Sequence, residues 1–253
     1  MTGIYFSGTG NTKHCITEFI EVLSCCSAES APRTAPVISI EDSALAADAL
    51  KDEPDLVVLA YPVYYSNLPK IMRDFIVGHE ELWYGKKIFI ICTMALFSGD
   101  GTGVAARLLT KYGAHIIGGL HVIMPDSISD VKLLKYSPGK NRTIISKTDR
   151  KLEDAARNLA NHKPPKEGLS VLAHLLGLFG QRLWFSGKTK HYCDKLKIHT
   201  ESCIKCGKCI SLCPMHNLTL TGHGITAANK CTMCYRCINQ CPQKAITLLG
   251  KKR

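Results

Sequence analysis

The sequence predicts an α/β protein: a doubly wound parallel sheet followed by a small α+β domain. Three observations predict it. Short apolar runs alternate with helical stripes as far as His162, the pattern of parallel strands joined by crossover helices. A turn made of Gly, Ser, Thr and Asn joins the first run to the first stripe. Eight of the 13 cysteines fall near the C-terminus in two matched runs, offset by 28 residues.

Thr2 to Ser7 is an apolar run of strand type, and it stops at Ser7-Gly8-Thr9-Gly10-Asn11-Thr12. His14 to Leu23 then carries apolar residues at 15, 16, 19, 20, 22 and 23, one face of a helix. Gly8 and Gly10 let the backbone turn tightly. The hydroxyls of Ser7, Thr9 and Thr12, with the loop N–H groups, can surround a dianionic phosphate at a helix N-terminus. The turn has neither the Gly-Lys-Ser/Thr ending of a P-loop nor the spacing of a dinucleotide fingerprint. An ordinary glycine-rich turn is the alternative.

Residues 55–60 read as a buried parallel strand. Pro62-Val63-Tyr64-Tyr65 follows, then a helix from Pro69 to Val77. Aromatics just past a strand's carboxyl end sit where open α/β sheets bind ligands, and one could stack on a flat ring. The alternative is that the tyrosines pack the loop onto the sheet. Residues 86–93 form the next strand. A second glycine-rich loop, Met94 to Gly103, leads into a helix from Val104 to Tyr112. Strand His115 to Met124 closes the sheet. Asp126 to Arg142 is long and irregular and reads as a lid. Ile145 to His162 is a charged amphipathic helix that ends the domain.

The turn Ser7–Thr12 is similar to the FMN-phosphate loop of flavodoxins, T/S-x-T-G-N-T, and the resemblance extends over the whole alternating region. It implies a flavodoxin-like fold with bound FMN. Ser7, Gly8, Thr9, Gly10, Asn11 and Thr12 would take the phosphate. Pro62, Val63, Tyr64 and Tyr65, with Thr93, Met94, Phe97 and Gly99, would flank the ring. The two ring loops match the family in position and character only.

Lys163-Pro164-Pro165-Lys166 reads as a stiff linker. Leu169 to Phe185 has Leu172, Leu175, Leu176, Phe179, Leu183 and Trp184 near helical spacing, and is expected to pack between two domains. A helix lying on a membrane surface is the alternative. His174 and the other histidines have no ligand spacing. The longest uncharged stretch there, Gly168 to Gln181, is 14 residues, too short to span a bilayer. The N-terminus shows no basic, apolar leader pattern.

Cys203-x-x-Cys206-x-x-Cys209-x-x-x-Cys213-Pro214 is repeated as Cys231-x-x-Cys234-x-x-Cys237-x-x-x-Cys241-Pro242. This is the bacterial [4Fe–4S] spacing, in which the fourth cysteine ligates the other cluster. Two-residue spacers wrap a loop around one cubane, and the fourth thiolate lies beyond its reach. Cys203, Cys206, Cys209 and Cys241 should hold one cluster, and Cys231, Cys234, Cys237 and Cys213 the other. Zinc closes on four ligands with a longer gap between pairs, and a disulfide framework needs an oxidising compartment. The segment resembles two-cluster bacterial ferredoxins, all eight ligands included. Cys15, Cys25, Cys26, Cys92 and Cys193 are scattered and read as free, mostly buried thiols, which points to a reducing cytoplasm.

Charge is uneven. Residues 1–100 carry a net −6, residues 101–199 carry +10 and residues 200–253 carry +7, giving +11 overall. A basic surface fits docking to an acidic redox partner. No nucleic-acid recognition motif is present.

The expected domains are 1–162 (FMN-binding), 163–196 (linker and interdomain helix) and 197–253 (two-cluster). Together they resemble flavodoxin–ferredoxin fusion proteins of anaerobic microbes. The expected function is electron relay between two [4Fe–4S] clusters and FMN. A flavin-dependent reductase of a small organic substrate, fed through the clusters, is the alternative. A vestigial flavin site that only docks partners is the third.

Overall fold

The computed structural model describes residues 1–26, 35–64, 67–131, 135–183 and 195–250. Five strands form one parallel sheet: β1 (Thr2–Tyr5), β2 (Val37–Ser39), β3 (Val57–Pro62), β4 (Lys87–Met94) and β5 (His115–Ile123). Their spatial order is β2-β1-β3-β4-β5, all neighbours parallel. This is the flavodoxin-like order of doubly wound sheets. Helices α1 (Asn11–Cys26), α2 (Ser43–Lys51), α3 (Lys70–Gly78), α4 (Gly101–Lys111) and α5 (Pro138–Ala160) are the connections.

Successive strand residues point to opposite faces, and both faces are apolar because helices cover both. Ile4, Phe6, Leu59, Tyr61, Ile88 and Ile90 pack under α2, α3 and α4. Tyr5, Val58, Ala60, Phe89, Ile91 and Leu120 pack under α1 and α5. Phe19 of α1 stacks on Phe89, ring centroids 5.0 Å apart. Truncating Phe19 to Ala should cost about 3–5 kcal/mol, the usual figure for a buried aromatic.

The sequence patterns locate β1, β3, β4, β5, α1, α3 and α4, each within a few residues of its observed ends. They miss β2 and α2. β2 has three half-buried residues at the sheet edge, too few for a period to appear. α2 is short and alanine-rich; it is set by Asp42, whose side chain accepts from the Leu45 N–H at 3.1 Å, as an N-cap does. α5 begins at Pro138, so it absorbs part of the expected lid.

Beyond α5 the chain returns along the outer edge of β5. Gly119 N–H donates to Pro165 O (2.8 Å) and Glu167 N–H to Gly119 O (2.9 Å). The expected linker is thus docked on the sheet, and its two prolines blunt an open edge. α6 (Val171–Gly177) continues into a π-turn at Leu178–Arg182. Ser170 caps it by accepting from the Ala173 N–H at 3.1 Å. α6 packs on α4, and a Cβ at Gly99 would lie 2.5 Å from Gly177 N, so both glycines are needed for the approach. Among the described residues, Val171, Leu172, Leu175, Leu176, Phe179 and Leu183 of this helical run are exposed. Trp184 and Phe185 lie outside the described residues, as does Cys193.

The C-terminal part is built on two small antiparallel pairs. β6 (Lys197–Ile198) pairs with β9 (Ile246–Thr247), and β7 (Leu218–Thr221) with β8 (Gly224–Ala227). Two short helices, α7 (Lys208–Ser211) and α8 (Arg236–Gln240), complete it. The sequence repeat is also a backbone repeat. Left-handed residues recur 28 positions apart at Lys205 and Met233, Gly207 and Tyr235, and His216 and Lys244. No described helix is long and apolar enough to cross a membrane. Of the free cysteines outside the two runs, Cys15 and Cys92 are buried, Cys26 is half-buried and Cys25 is exposed. Burial pushes the Cys15 thiol up to about 12, so it stays protonated and inert.

Candidate functional site

A large cavity opens at the carboxyl ends of the strands, where the strand order reverses between β1 and β3. It has an empty volume of about 860 Å³, its open mouth included. Its walls are Ser7, Gly8, Thr9, Asn11 and Thr12 after β1, Pro62 to Tyr64 at the end of β3, Thr93 to Ala95 after β4, and Met124 to Ile128 after β5. α1 starts inside the first loop, so a helix N-terminus, the end where N–H groups lack intrahelical partners, stands at the cavity wall. The loop is held from several sides. Gly10 N–H donates to Ser7 Oγ (3.1 Å), Thr12 and Thr93 hydroxyls share a hydrogen bond of 2.8 Å, and Asn11 Nδ2 donates to Pro125 O (2.8 Å).

Most of the expected contacts meet here. Gly10 belongs to the loop but does not itself line the cavity; at φ 105° it supplies the turn. Tyr65 lies outside the described residues. Phe97 and Gly99 lie off this wall: the chain turns away after Ala95, leaving Phe97 65% exposed and Gly99 against α6. The cavity also gains walls that the sequence patterns did not assign, Met124 and Pro125, along with Asp126 to Ile128 of the expected lid, and Ala95 of the loop after β4 lines it too. Asp126 is the one acid among them; burial raises its carboxyl pKa, opposed by the N–H groups of Ile128 and Ser127.

Two further cavities, about 380 Å³ each with open solvent included, divide the eight cysteines. One is lined by Cys203, Cys206, Cys209 and Cys241, the other by Cys213, Cys231, Cys234 and Cys237. The fourth cysteine of each run therefore crosses to the other set. Ile198, Ile204, Ile225 and Ile246 surround the first set; Leu196, Leu218, Ile238 and Leu248 surround the second. No carboxylate lines either. Asn217 N–H points at Cys213 Sγ and Ala245 N–H at Cys241 Sγ, both at 3.3 Å and 28 positions apart. Burial and then the neighbouring Cys234, Cys231, Cys213 and Cys209 push the Cys237 thiol far up. Four crowded thiols ionise together only when a metal supplies the opposing charge. Among the described residues no three His, Cys, Asp or Glu side chains converge as ligands of a single ion would. A cubane spreads its thiolates over four irons, and four thiols around each apolar cavity fit such a cluster.

Residues 195–242 match the family model of the 4Fe-4S dicluster domain. The chain joins a flavodoxin-like fold to a 4Fe-4S dicluster domain. No curated protein matches it. Among solved structures it is similar to the two-electron reduced flavodoxin of Megasphaera elsdenii, at 21% identity, covering 60% of this chain and 99% of that one with a TM-score of 0.41. A flavodoxin from the domain Archaea aligns at 16% identity over 64% and 100% of the two chains, TM-score 0.41. A WrbA-like flavodoxin from Agrobacterium tumefaciens aligns at 18% over 62% and 96%, TM-score 0.36. The flavodoxin-like fold rests on the strand order and register described above, not on these alignments.

The dicluster domain is seated on the flavodoxin-like domain through its second cysteine run. Met233 and Tyr235, between Cys231, Cys234 and Cys237, complete the wall of the large cavity. Tyr235 is held left-handed at φ 60°, where the first run has Gly207 at φ 73°. A bulky residue there is strained, and its ring fills the boundary. Cys234 joins the apolar core under α2, α3 and α4. A Cβ on Gly8 would lie 2.5 Å from Cys234 O and 2.7 Å from the Tyr64 hydroxyl, so only glycine lets the loop approach. Arg236 fastens the contact. Its guanidinium donates to Ser7 O (2.7 Å), Gly8 O (3.0 Å), Leu212 O (3.3 Å) and both carboxylate oxygens of Glu41 (2.7 and 2.6 Å). On the far side, Asp130 Oδ2 accepts from the N–H groups of Leu248, Leu249 and Gly250 at 2.8, 3.1 and 3.0 Å. Asn239 Nδ2 donates to Ser127 O at 3.0 Å. The start of the expected lid, through Ser127 and Asp130, is therefore a strap tied to the dicluster domain.

Proposed function

We propose that the chain relays electrons between two [4Fe–4S] clusters and a bound FMN. The observation that carries this reading is the shared wall. Met233 and Tyr235 line the large cavity while standing between the cysteines of the second run. When bound, FMN supplies one- or two-electron chemistry and each cluster a one-electron exchange.

In this reading the loop Ser7–Thr12 binds the FMN phosphate with hydroxyls, backbone N–H groups and the N-terminus of α1. Pro62, Val63, Tyr64, Thr93 and Met94 flank the ring, with Tyr65 on the same loop. Cys203, Cys206, Cys209 and Cys241 hold one cluster; Cys213, Cys231, Cys234 and Cys237 hold the other. Tyr235, Met233 and the strap at Met124–Ile128 exclude water from the flavin side of the boundary. The functional division is 1–162 for flavin, 163–196 for linker and helix, and 197–253 for clusters. A reducing compartment such as the cytoplasm suits exposed Cys25 and the open Cys206.

The test is anaerobic purification with flavin, iron and sulfide analysis, followed by spectra during stepwise reduction. About one FMN and about eight irons per chain, bleaching in linked order, is the expected result. Full iron with no flavin taken up on addition would overturn it. Reduction of a small organic substrate is the second reading. Asp126 favours it, as a half-buried carboxyl in the cavity wall with a raised pKa, placed to hold a proton. Steady turnover that is lost in Asp126→Asn would select it.

A further inference from the structure

We infer that the site of Cys203, Cys206, Cys209 and Cys241 is the port of this protein, and that its rim of Lys205, Ile204 and Lys208 is a docking face for an acidic one-electron carrier protein. The inference rests on the relay reading above and adds to it the order of the sites and the chemistry of the partner.

The two cysteine runs are backbone copies, so the faces their loops present can be compared position by position. The second loop reads Cys231-Thr-Met-Cys-Tyr-Arg-Cys237, and it is buried against the flavodoxin-like domain through Met233, Tyr235 and Arg236. The first reads Cys203-Ile-Lys-Cys-Gly-Lys-Cys209. Where the second loop has Met233, the first has Lys205. Where it has Tyr235, the first has Gly207. Where it has Arg236 clasping Glu41, the first has Lys208. Lys205, Cys206 and Lys208 are exposed, and Ile204, next to Lys205, is 60% exposed. Cys234, the copy of Cys206, is buried at 8%. One site therefore faces the flavin cavity and the other faces solvent.

The inner face shows what such a loop binds. It takes a carboxylate on its cation, from a domain half whose net charge is −6. The outer face keeps a cation at the same place, in a segment of net +7 whose one acid is Glu201. Lys244 of the same segment and Lys197 just before it are further exposed cations. A protein with carboxylates around its redox centre complements this face in charge, and Ile204 offers the apolar contact of an interface core. The cluster that Cys203, Cys206, Cys209 and Cys241 would hold supplies a one-electron exchange with the partner's redox centre, which breaks no bond and moves no proton.

The test uses the purified, cluster-loaded protein and a strongly acidic bacterial ferredoxin as the probe. Binding is measured by calorimetry at low and high salt. The wild type should bind more weakly as salt rises. Lys205→Glu with Lys208→Glu should weaken binding at least tenfold at low salt and flatten the salt dependence. Lys87→Glu with Lys111→Glu, the same charge change at the opposite end of the sheet, should alter it less than twofold. Acetylation footprinting of the wild-type complex should show Lys205 and Lys208 protected, a readout that needs no variant. Equal weakening by both double variants, no protection of the two lysines, or no binding by the wild type would overturn the inference. Failure of the relay reading shows separately, as flavin that does not bleach when the isolated protein is reduced through its clusters.

Discussion

Replacing Arg236 by Ala should loosen the two domains from each other. The Arg236 side chain is 16% exposed and that of Glu41 30%. Removing the guanidinium leaves Ser7 O and Gly8 O without these donors, and an unpaired buried polar group costs roughly 1–3 kcal/mol. Glu41 is open enough to be rehydrated, so its share is nearer the ~1 kcal/mol of exposed ion pairs. Together this is about 3 kcal/mol, or roughly a 150-fold shift between docked and undocked forms. Hydrogen exchange by mass spectrometry, on peptides covering residues 5–12 and 231–237, reads the opening directly. Exchange there should speed up about 100-fold while the centre of the sheet is unchanged. Arg236→Lys should recover only part of it, because an ammonium cannot bridge two carbonyls and a carboxylate as a planar fork does. A cycle with Glu41→Gln should return a coupling of about 1 kcal/mol. A change in exchange below about threefold, or zero coupling, would refute the assignment of Arg236 as the fastening between domains.

Four other outcomes follow from particular contacts. Asp130→Ala removes the acceptor of three N–H groups and should destabilise the C-terminal strand by about 2 kcal/mol, read as a lower melting temperature of the cluster absorbance. Cys241→Ser should remove the cluster of the first run and spare the second, leaving about four irons per chain; loss of the second cluster alone would exclude the crossed pairing. Burial raises the Asp126 carboxyl pKa, so the folded state holds its proton longer than the unfolded chain. Stability should therefore fall as pH rises from about 3.9, the unfolded value, through the folded one. Asp126→Asn should flatten that part of a denaturant-midpoint profile against pH. Leu172→Glu with Leu176→Glu should change stability by less than about 0.5 kcal/mol, as expected of exposed sites; a larger loss in a thermal melt would mean that the apolar side of α6 is covered in solution.

The parts of this protein that the sequence makes legible are those fixed by short-range spacing. Two residues between cysteines are a statement about one cubane. A Gly/Ser/Thr turn between an apolar run and a helical stripe is a statement about one strand–loop–helix corner, the one that walls the cavity. Buried parallel strands read as continuous apolar runs because helices cover both faces, which is why β1, β3, β4 and β5 stand out and three-residue β2 does not. Phe97 and Gly99 fall off the cavity wall because a loop after a strand can turn either way, and here Gly99 lets α6 approach at Gly177. The domain contact was illegible for a different reason. Arg236 and Glu41 are 195 residues apart, as Asp130 and Leu248 are 118 apart, and no local pattern couples them.

One signal of that contact was nonetheless present, in the departures of the repeat from itself. A loop that only holds a cluster needs its cysteines and its left-handed turns. Lys205, Gly207 and Lys208 meet that need with solvated side chains and a glycine. Met233, Tyr235 and Arg236 do not: a large ring at a glycine-like φ is a conformational cost that cluster binding does not require. The position tolerates it because the ring is packed at the cavity wall, beside a cation satisfied by another domain. In an internally duplicated cofactor domain, the copy that departs toward apolar and aromatic residues at strained positions is the one turned inward. The copy that stays small and charged is the one left facing solvent.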